Sequence, residues 1–163
     1  MIHNEAKHNW KALVAIREQL EHRATWLYLL CDEARKKGLE WESFAPDAIK
    51  RCGLYQGKNL VKNGKTDSLK GLKKTLFTKP AQLVFEMDIK RSDDDHLDID
   101  FHYCPLVKAW QKQGLSDDEI ARLCDIAMCG DHGIGECYNA KLDLPKCIAK
   151  GDDICALRYS KKK

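Results

Sequence analysis

LVFEMDIKRSDDDHLDIDFHY, residues 83 to 103, decides the fold class, because within it the apolar residues recur with a period of two. Phe85, Met87 and Ile89 alternate with charged residues, Arg91 to Asp95 form a polar break, and Leu97, Ile99, Phe101 and Tyr103 resume the alternation. Successive strand side chains point to opposite faces, so the pattern predicts an antiparallel hairpin over Leu83 to Tyr103 whose apolar face turns towards helices. The other face would carry Glu86, Asp88, His96, Asp98, Asp100 and His102. A half-solvated sheet shows such a row in any case, although the same donors are metal ligands elsewhere.

On the amino-terminal side the period lengthens to that of a helix. Leu13, Ile16, Leu20, Ala24, Leu27, Cys31 and Ala34 step by three or four, which predicts one long helix over Asn9 to Lys37, stopped by Gly38. A shorter helix is expected from Trp41 to Arg51, with Pro46 in its first turn and Gly53 as its stop. Asn63-Gly64 reads as a turn. Asp67 is expected to cap a third helix in which Leu69, Leu72, Leu76 and Phe77 share a face and which Pro80 ends.

On the carboxyl-terminal side Pro105 opens a helix that Gly114 stops, and Ser116-Asp117-Asp118-Glu119 is a capping box for the next. Ile120, Leu123, Cys124 and Ala127 give that helix its apolar stripe. Three glycines between Gly130 and Gly135 predict a flexible polar loop around Asp131 and His132. Two strands, about Glu136 to Leu144 and Ile154 to Tyr159, would complete the chain. This order predicts a single α+β domain over residues 1–163: N-terminal helices plus a mostly antiparallel sheet, with two further helices inserted between strands.

Composition narrows the function. A chain of 163 residues with net charge +3 is one domain's worth. It carries neither an apolar run of spanning length nor a charged-then-apolar leader, so it is expected to be cytoplasmic and to make no membrane contact. Lys58, Lys62, Lys65, Lys70, Lys73 and Lys74 alternate with turn residues and leucines and read as a solvated face, with no nucleic-acid role. A homo-oligomer is compatible with all of this. Eight cysteines in a reducing compartment are expected to be free thiols serving as core filler, metal ligands or reactive groups. Phosphate loops, a Gly-x-Ser-x-Gly elbow and a His-Glu-x-x-His helix do not occur.

The densest chemistry lies at residues 101 to 140. No Cys-x-x-Cys pair occurs, so a structural zinc is not written locally. A composite site remains open: Cys104, Cys124, Asp131 and His132 offer the ligand set of zinc or another divalent transition metal. Cys104, just ahead of Pro105, sits where a helix amino terminus favours a thiolate over a thiol, which would make it a nucleophile. His102, two residues earlier on the strand, is expected on the same side of the sheet and could exchange a proton with it. The plainer alternatives are that Cys104 packs under its helix, that His102 faces water, and that Cys124 is an inert buried thiol.

Several segments together carry a family resemblance. HRATWLYLLCDEARKKG, FAPDAIKRCG, FHYCPLVKAWQKQGLSDDEIARLCDIAMCGD and CIAKGDDICALRYS, in that order, resemble the L-2-amino-thiazoline-4-carboxylic acid hydrolase family. The sharpest pieces are Cys104-Pro105-Leu106, Leu123-Cys124-Asp125 with Asp131 six residues on, and the Gly-Asp-Asp-x-Cys that ends at Cys155. The resemblance implies hydrolytic opening of a small sulfur-containing cyclic amidine, such as 2-amino-thiazoline-4-carboxylate, to N-carbamoyl-cysteine. It further implies a site of Cys104, Cys124 and Asp131, lined by Cys155, with Arg23 holding the substrate carboxylate. The alternative from another class is a non-catalytic protein that binds a metal or a small cofactor through Cys104, Cys124, Cys129, Asp131 and His132.

Overall fold

The computed structural model describes residues 1–163. A helix, α1, spans Lys11–Lys36 and closes at Gly38, whose φ of 82° is left-handed. After a 3-10 turn at Trp41–Ser43 come α2 (Ala45–Gly64), α3 (Leu69–Thr75) and α4 (Lys79–Val84). Strands β1 (Met87–Ser92) and β2 (His96–Phe101) form the hairpin. Two helices follow, α5 (Pro105–Lys112) and α6 (Asp117–Cys137), then β3 (Ala140–Asp143), a 3-10 turn at Ile148–Lys150, and β4 (Cys155–Lys161). The four strands make one antiparallel sheet in the order β1-β2-β4-β3. No helix is long and apolar enough to cross a membrane.

The hairpin forms as its alternation predicts, but it is shorter. Residues 83 and 84 end α4, in which Pro80 lies in the first turn and therefore starts a helix where it was expected to end one. Met87 faces Phe101 and Ile89 faces Ile99, which puts the apolar set on one side. At the turn, Oδ1 of Asp93 accepts the N–H groups of Asp95 and His96. Register then propagates to β4: Leu97 faces Tyr159, Ile99 faces Leu157 and Phe101 faces Cys155. Cys155 thus points to the helix side because it is paired with an apolar residue of known face. The outer face carries Asp88, Asp98, Asp100 and His102 as a polar surface, where Arg158 pairs with Asp100 and His102 bonds Asp88 at 3.0 Å.

Helix α2 runs straight through Gly53 and Gly57, and α6 runs straight through residues 130 to 135. Both findings correct the sequence reading, and they share one cause. A Cβ on Gly53 would lie 2.0 Å from the carbonyl oxygen of Gly130, and one on Gly133 would lie 2.6 Å from that of Lys50. The glycines are there so that two helical backbones can touch, and the close packing outweighs their poor helix propensity, about 1 kcal/mol each. Two smaller corrections concern ends. Ser68, and not Asp67, caps α3 by accepting the N–H of Gly71, and β3 begins only at Ala140 because α6 continues to Cys137. The capping box of α6 forms in both directions, with the Glu119 N–H on Ser116 and the Ser116 N–H on Glu119.

Candidate functional site

Four separate elements deliver the site. Cys104 is the N-cap residue of α5, held by a two-way clamp in which its N–H donates to Asn4 Oδ1 and its carbonyl accepts from Asn4 Nδ2, each at 2.9 Å. Cys124 lies on the buried stripe of α6, and Asp131 follows seven residues later, two turns along the same face and roughly 10 Å down the axis. Tyr159, fully buried on β4, donates its hydroxyl to the carbonyl of Asp131 at 3.3 Å and so ties that turn of α6 to the sheet. Cys155 begins β4.

The fourth element is the loop that carries Cys147, a residue the sequence reading passed over. Asp152 accepts the Cys147 N–H at 2.7 Å, Gly151 turns the chain at φ 94°, and the Ala156 N–H reaches back to Lys146. The Gly-Asp-Asp-x-Cys segment is therefore a device that folds Cys147 against Cys155. In this loop Ile148 N–H donates to Cys155 Sγ at 3.3 Å, and the sulfurs of Cys147 and Cys124 stand 3.6 Å apart. The spacing Cys147 to Cys155 around a Gly-Asp turn was the signal that could have found it.

Environment sorts the thiols. The Cys124 and Cys155 thiols hydrogen-bond Cys147 and, with the N–H groups of Ala149 and Lys150, lower its pKa below that of an ordinary cysteine. The proton shared in this cluster raises Cys124 and Cys155 correspondingly. Cys104 goes the other way: the N–H groups of Leu106 and Val107 lower its pKa as its helix position predicts, but burial outweighs them and pushes it up to about 11. The thiolate expected at Cys104 is therefore favoured at Cys147. Burial likewise raises Asp131 from 3.8 to about 6 against the opposing charge of Arg23.

Other expected members do not join. His102 sits on the outer face of the sheet with Asp88 and makes no contact with the Cys104 thiol, because the chain reverses side between the end of β2 and α5. His132 is exposed on α6, and Cys129 bonds the carbonyl of Asp125 on its own helix. No three His, Cys, Asp or Glu side chains are arranged to hold a metal ion, so the set Cys104, Cys124, Asp131 and His132 does not form a metal centre. Arg23, exposed on α1, is close enough for its charge to act on Asp131.

The raised carboxyl gives a pH prediction. Between pH 3.8 and about 6 folded Asp131 keeps a proton that the unfolded chain has released. Stability from this group is complete below that window and is lost as the pH rises through it. Asp131→Asn is accordingly expected to stabilise the protein at pH 8 by on the order of 1–2 kcal/mol and to change little at pH 3.5. Denaturant unfolding at the two pH values checks this, and equal effects at both would contradict it.

The fold has a counterpart among solved structures. The crystal structure of a trafficking protein particle complex subunit 3 from Naegleria fowleri covalently bound to palmitic acid superposes with a TM-score of 0.55, at 16% identity, over 88% of this chain and 95% of that one. At that identity the likeness is one of fold. No curated protein matches the chain. The profile described as L-2-amino-thiazoline-4-carboxylic acid hydrolase matches residues 17–159, a span that contains Arg23, all four clustered cysteines, the Gly-Asp-Asp turn and Asp131, and the chain belongs to that family.

Proposed function

We propose that the protein hydrolyses a small, carboxylated, sulfur-containing cyclic amidine, with 2-amino-thiazoline-4-carboxylate opening to N-carbamoyl-cysteine as the reference case. What carries the reading is the convergence of Cys104, Cys124, Cys147 and Cys155, with hydrogen bonds that lower the Cys147 pKa, together with the Asp131 carboxyl, raised to about 6 and within reach of the Cys104 charge. An amidine carbon calls for a nucleophile, a proton carrier and a cation for the substrate carboxylate. Cys147, Asp131 and Arg23 fill those roles.

In this scheme Cys147 sulfur bonds to the amidine carbon and the ring carbon–sulfur bond breaks. The ring sulfur leaves as a thiolate and takes a proton, giving an isothiourea on Cys147. Water then adds to the same carbon and loses a proton to Asp131, after which Cys147 departs as thiolate and a ureido group remains. Cys104, whose pKa burial raises to about 11, donates as a neutral thiol to the reacting nitrogen or sulfur.

Appearance of the product thiol from 2-amino-thiazoline-4-carboxylate, with reduced protein under anaerobic conditions, tests the reading. Cys104→Ser is expected to lower turnover roughly a hundredfold with little loss of stability, and Cys129→Ser to be nearly silent. If Cys104→Ser unfolds the protein and leaves activity per folded molecule unchanged, Cys104 is core filler. If the unaltered protein turns nothing over, the hydrolase reading fails and the small-molecule-binding alternative takes its place.

A further inference from the structure

Cys124 and Cys147 come from distant parts of the chain, one on α6 and the other in the loop before β4, yet their sulfurs stand 3.6 Å apart. A disulfide needs about 2.05 Å, so closure requires a movement of about 1.6 Å. Cys147 is the N-cap of a short 3-10 turn and not inside a helix, and its buried side chain lies directly against Cys124. Cys31 and Cys52, by contrast, have no thiol partner, and Cys129 and Cys137 bond only main-chain carbonyls.

We infer that Cys124 and Cys147 form a peroxide-oxidisable pair, a modification site at which a hydroperoxide converts the dithiol into a disulfide and thereby removes the Cys147 sulfur from the site. The inference deepens the proposed function by naming how that same site is switched off, and it rests on that reading only for its consequence for turnover. In the first step Cys147 thiolate attacks one peroxide oxygen and the O–O bond breaks; Cys147 becomes a sulfenic acid and hydroxide leaves. In the second step Cys124 sulfur attacks the sulfenic sulfur, giving the disulfide and releasing water, with the Cys124 proton passing to the departing oxygen. Sulfur is oxidised and the peroxide reduced, two electrons in all. A small external thiol returns the pair by exchange. Two features of the cluster favour this course. Hydrogen bonds from two thiols and two loop N–H groups lower the Cys147 pKa and so favour the attacking thiolate. The resolving thiol is already in contact at 3.6 Å, so the sulfenic acid is captured before further oxidation.

The test treats the reduced full chain with a few equivalents of hydrogen peroxide, blocks free thiols in denaturant, and maps peptides without reduction. The expected result is a Cys124–Cys147 cross-link, two fewer blocked thiols than in untreated protein, and full recovery after dithiothreitol. In Cys124→Ala, Cys147 should instead be captured by dimedone as the sulfenic acid. A cross-link between other cysteines, or peroxidation of Cys147 to sulfinic acid with no cross-link in the unaltered protein, overturns the inference. The mapping needs no substrate, so the two readings separate. A mapped cross-link with no turnover by the reduced protein sinks the hydrolase and leaves the pair, whereas turnover by a protein in which peroxide forms no Cys124–Cys147 cross-link sinks the pair and leaves the hydrolase.

Discussion

Gly53→Ala is expected to destabilise the protein by about 3 kcal/mol or more, whereas Gly130→Ala, the same change on the residue it faces, is expected to be neutral or mildly stabilising. The added methyl at position 53 would sit 2.0 Å from a main-chain oxygen of α6, which no rotamer change can relieve, so α2 and α6 must separate. At position 130 the new Cβ would meet the Cγ2 of Ile49 at 3.4 Å and its carbonyl oxygen at 3.7 Å, both ordinary contacts, and alanine's better helix propensity then contributes. For a chain of this size the first change should lower the thermal midpoint by roughly 6–12 °C. Because α6 carries Cys124 and Asp131, residual folded Gly53→Ala should also turn over more slowly per molecule. Thermal and denaturant unfolding of the pair decides the matter: a Gly53→Ala protein within 1 kcal/mol of the parent would mean that the α2–α6 contact is loose.

Cys147→Ser is expected to reduce ring opening of 2-amino-thiazoline-4-carboxylate by about a thousandfold or more, a larger loss than Cys104→Ser causes. Serine keeps the shape but its hydroxyl stays protonated, so the cradle of Cys124 and Cys155 has no anion to hold and the amidine carbon no nucleophile. The loss should fall on kcat more than on KM, since Arg23, which we propose holds the substrate carboxylate, is untouched. A covalent adduct of substrate mass on Cys147, trapped by acid quench and absent in the serine variant, would identify the intermediate directly. Equal activity in the two proteins would show that water attacks without covalent help and would move Cys147 into a supporting role.

Local patterns in the chain determined most of the elements and much of the site. The hairpin, the long α1, the capping box of α6 and the helix opening at Pro105 follow from periodicity and end chemistry, which act over a few residues and so are legible in order. The motif pieces pointed to Cys104, Cys124, Asp131, Cys155 and Arg23; in the fold the three cysteines feel one another's charge, Asp131 acts on Cys104 and Arg23 on Asp131. Tertiary structure decided what depends on contacts between distant segments. Glycines at 53 and 130 to 135 look like stops and a loop because propensity is a local quantity, and only the approach of α2 to α6 converts them into a helix–helix seam. Sheet register put His102 with Asp88 on the outer face and Cys155 on the inner one, separating a histidine and a cysteine that are near neighbours in sequence. Tertiary packing likewise decides the direction in which each thiol's pKa moves. The helix end at Cys104 is a local advantage of a few N–H groups and burial reverses it, whereas two thiols from α6 and β4 meet at Cys147 and add to the N–H groups of its own loop.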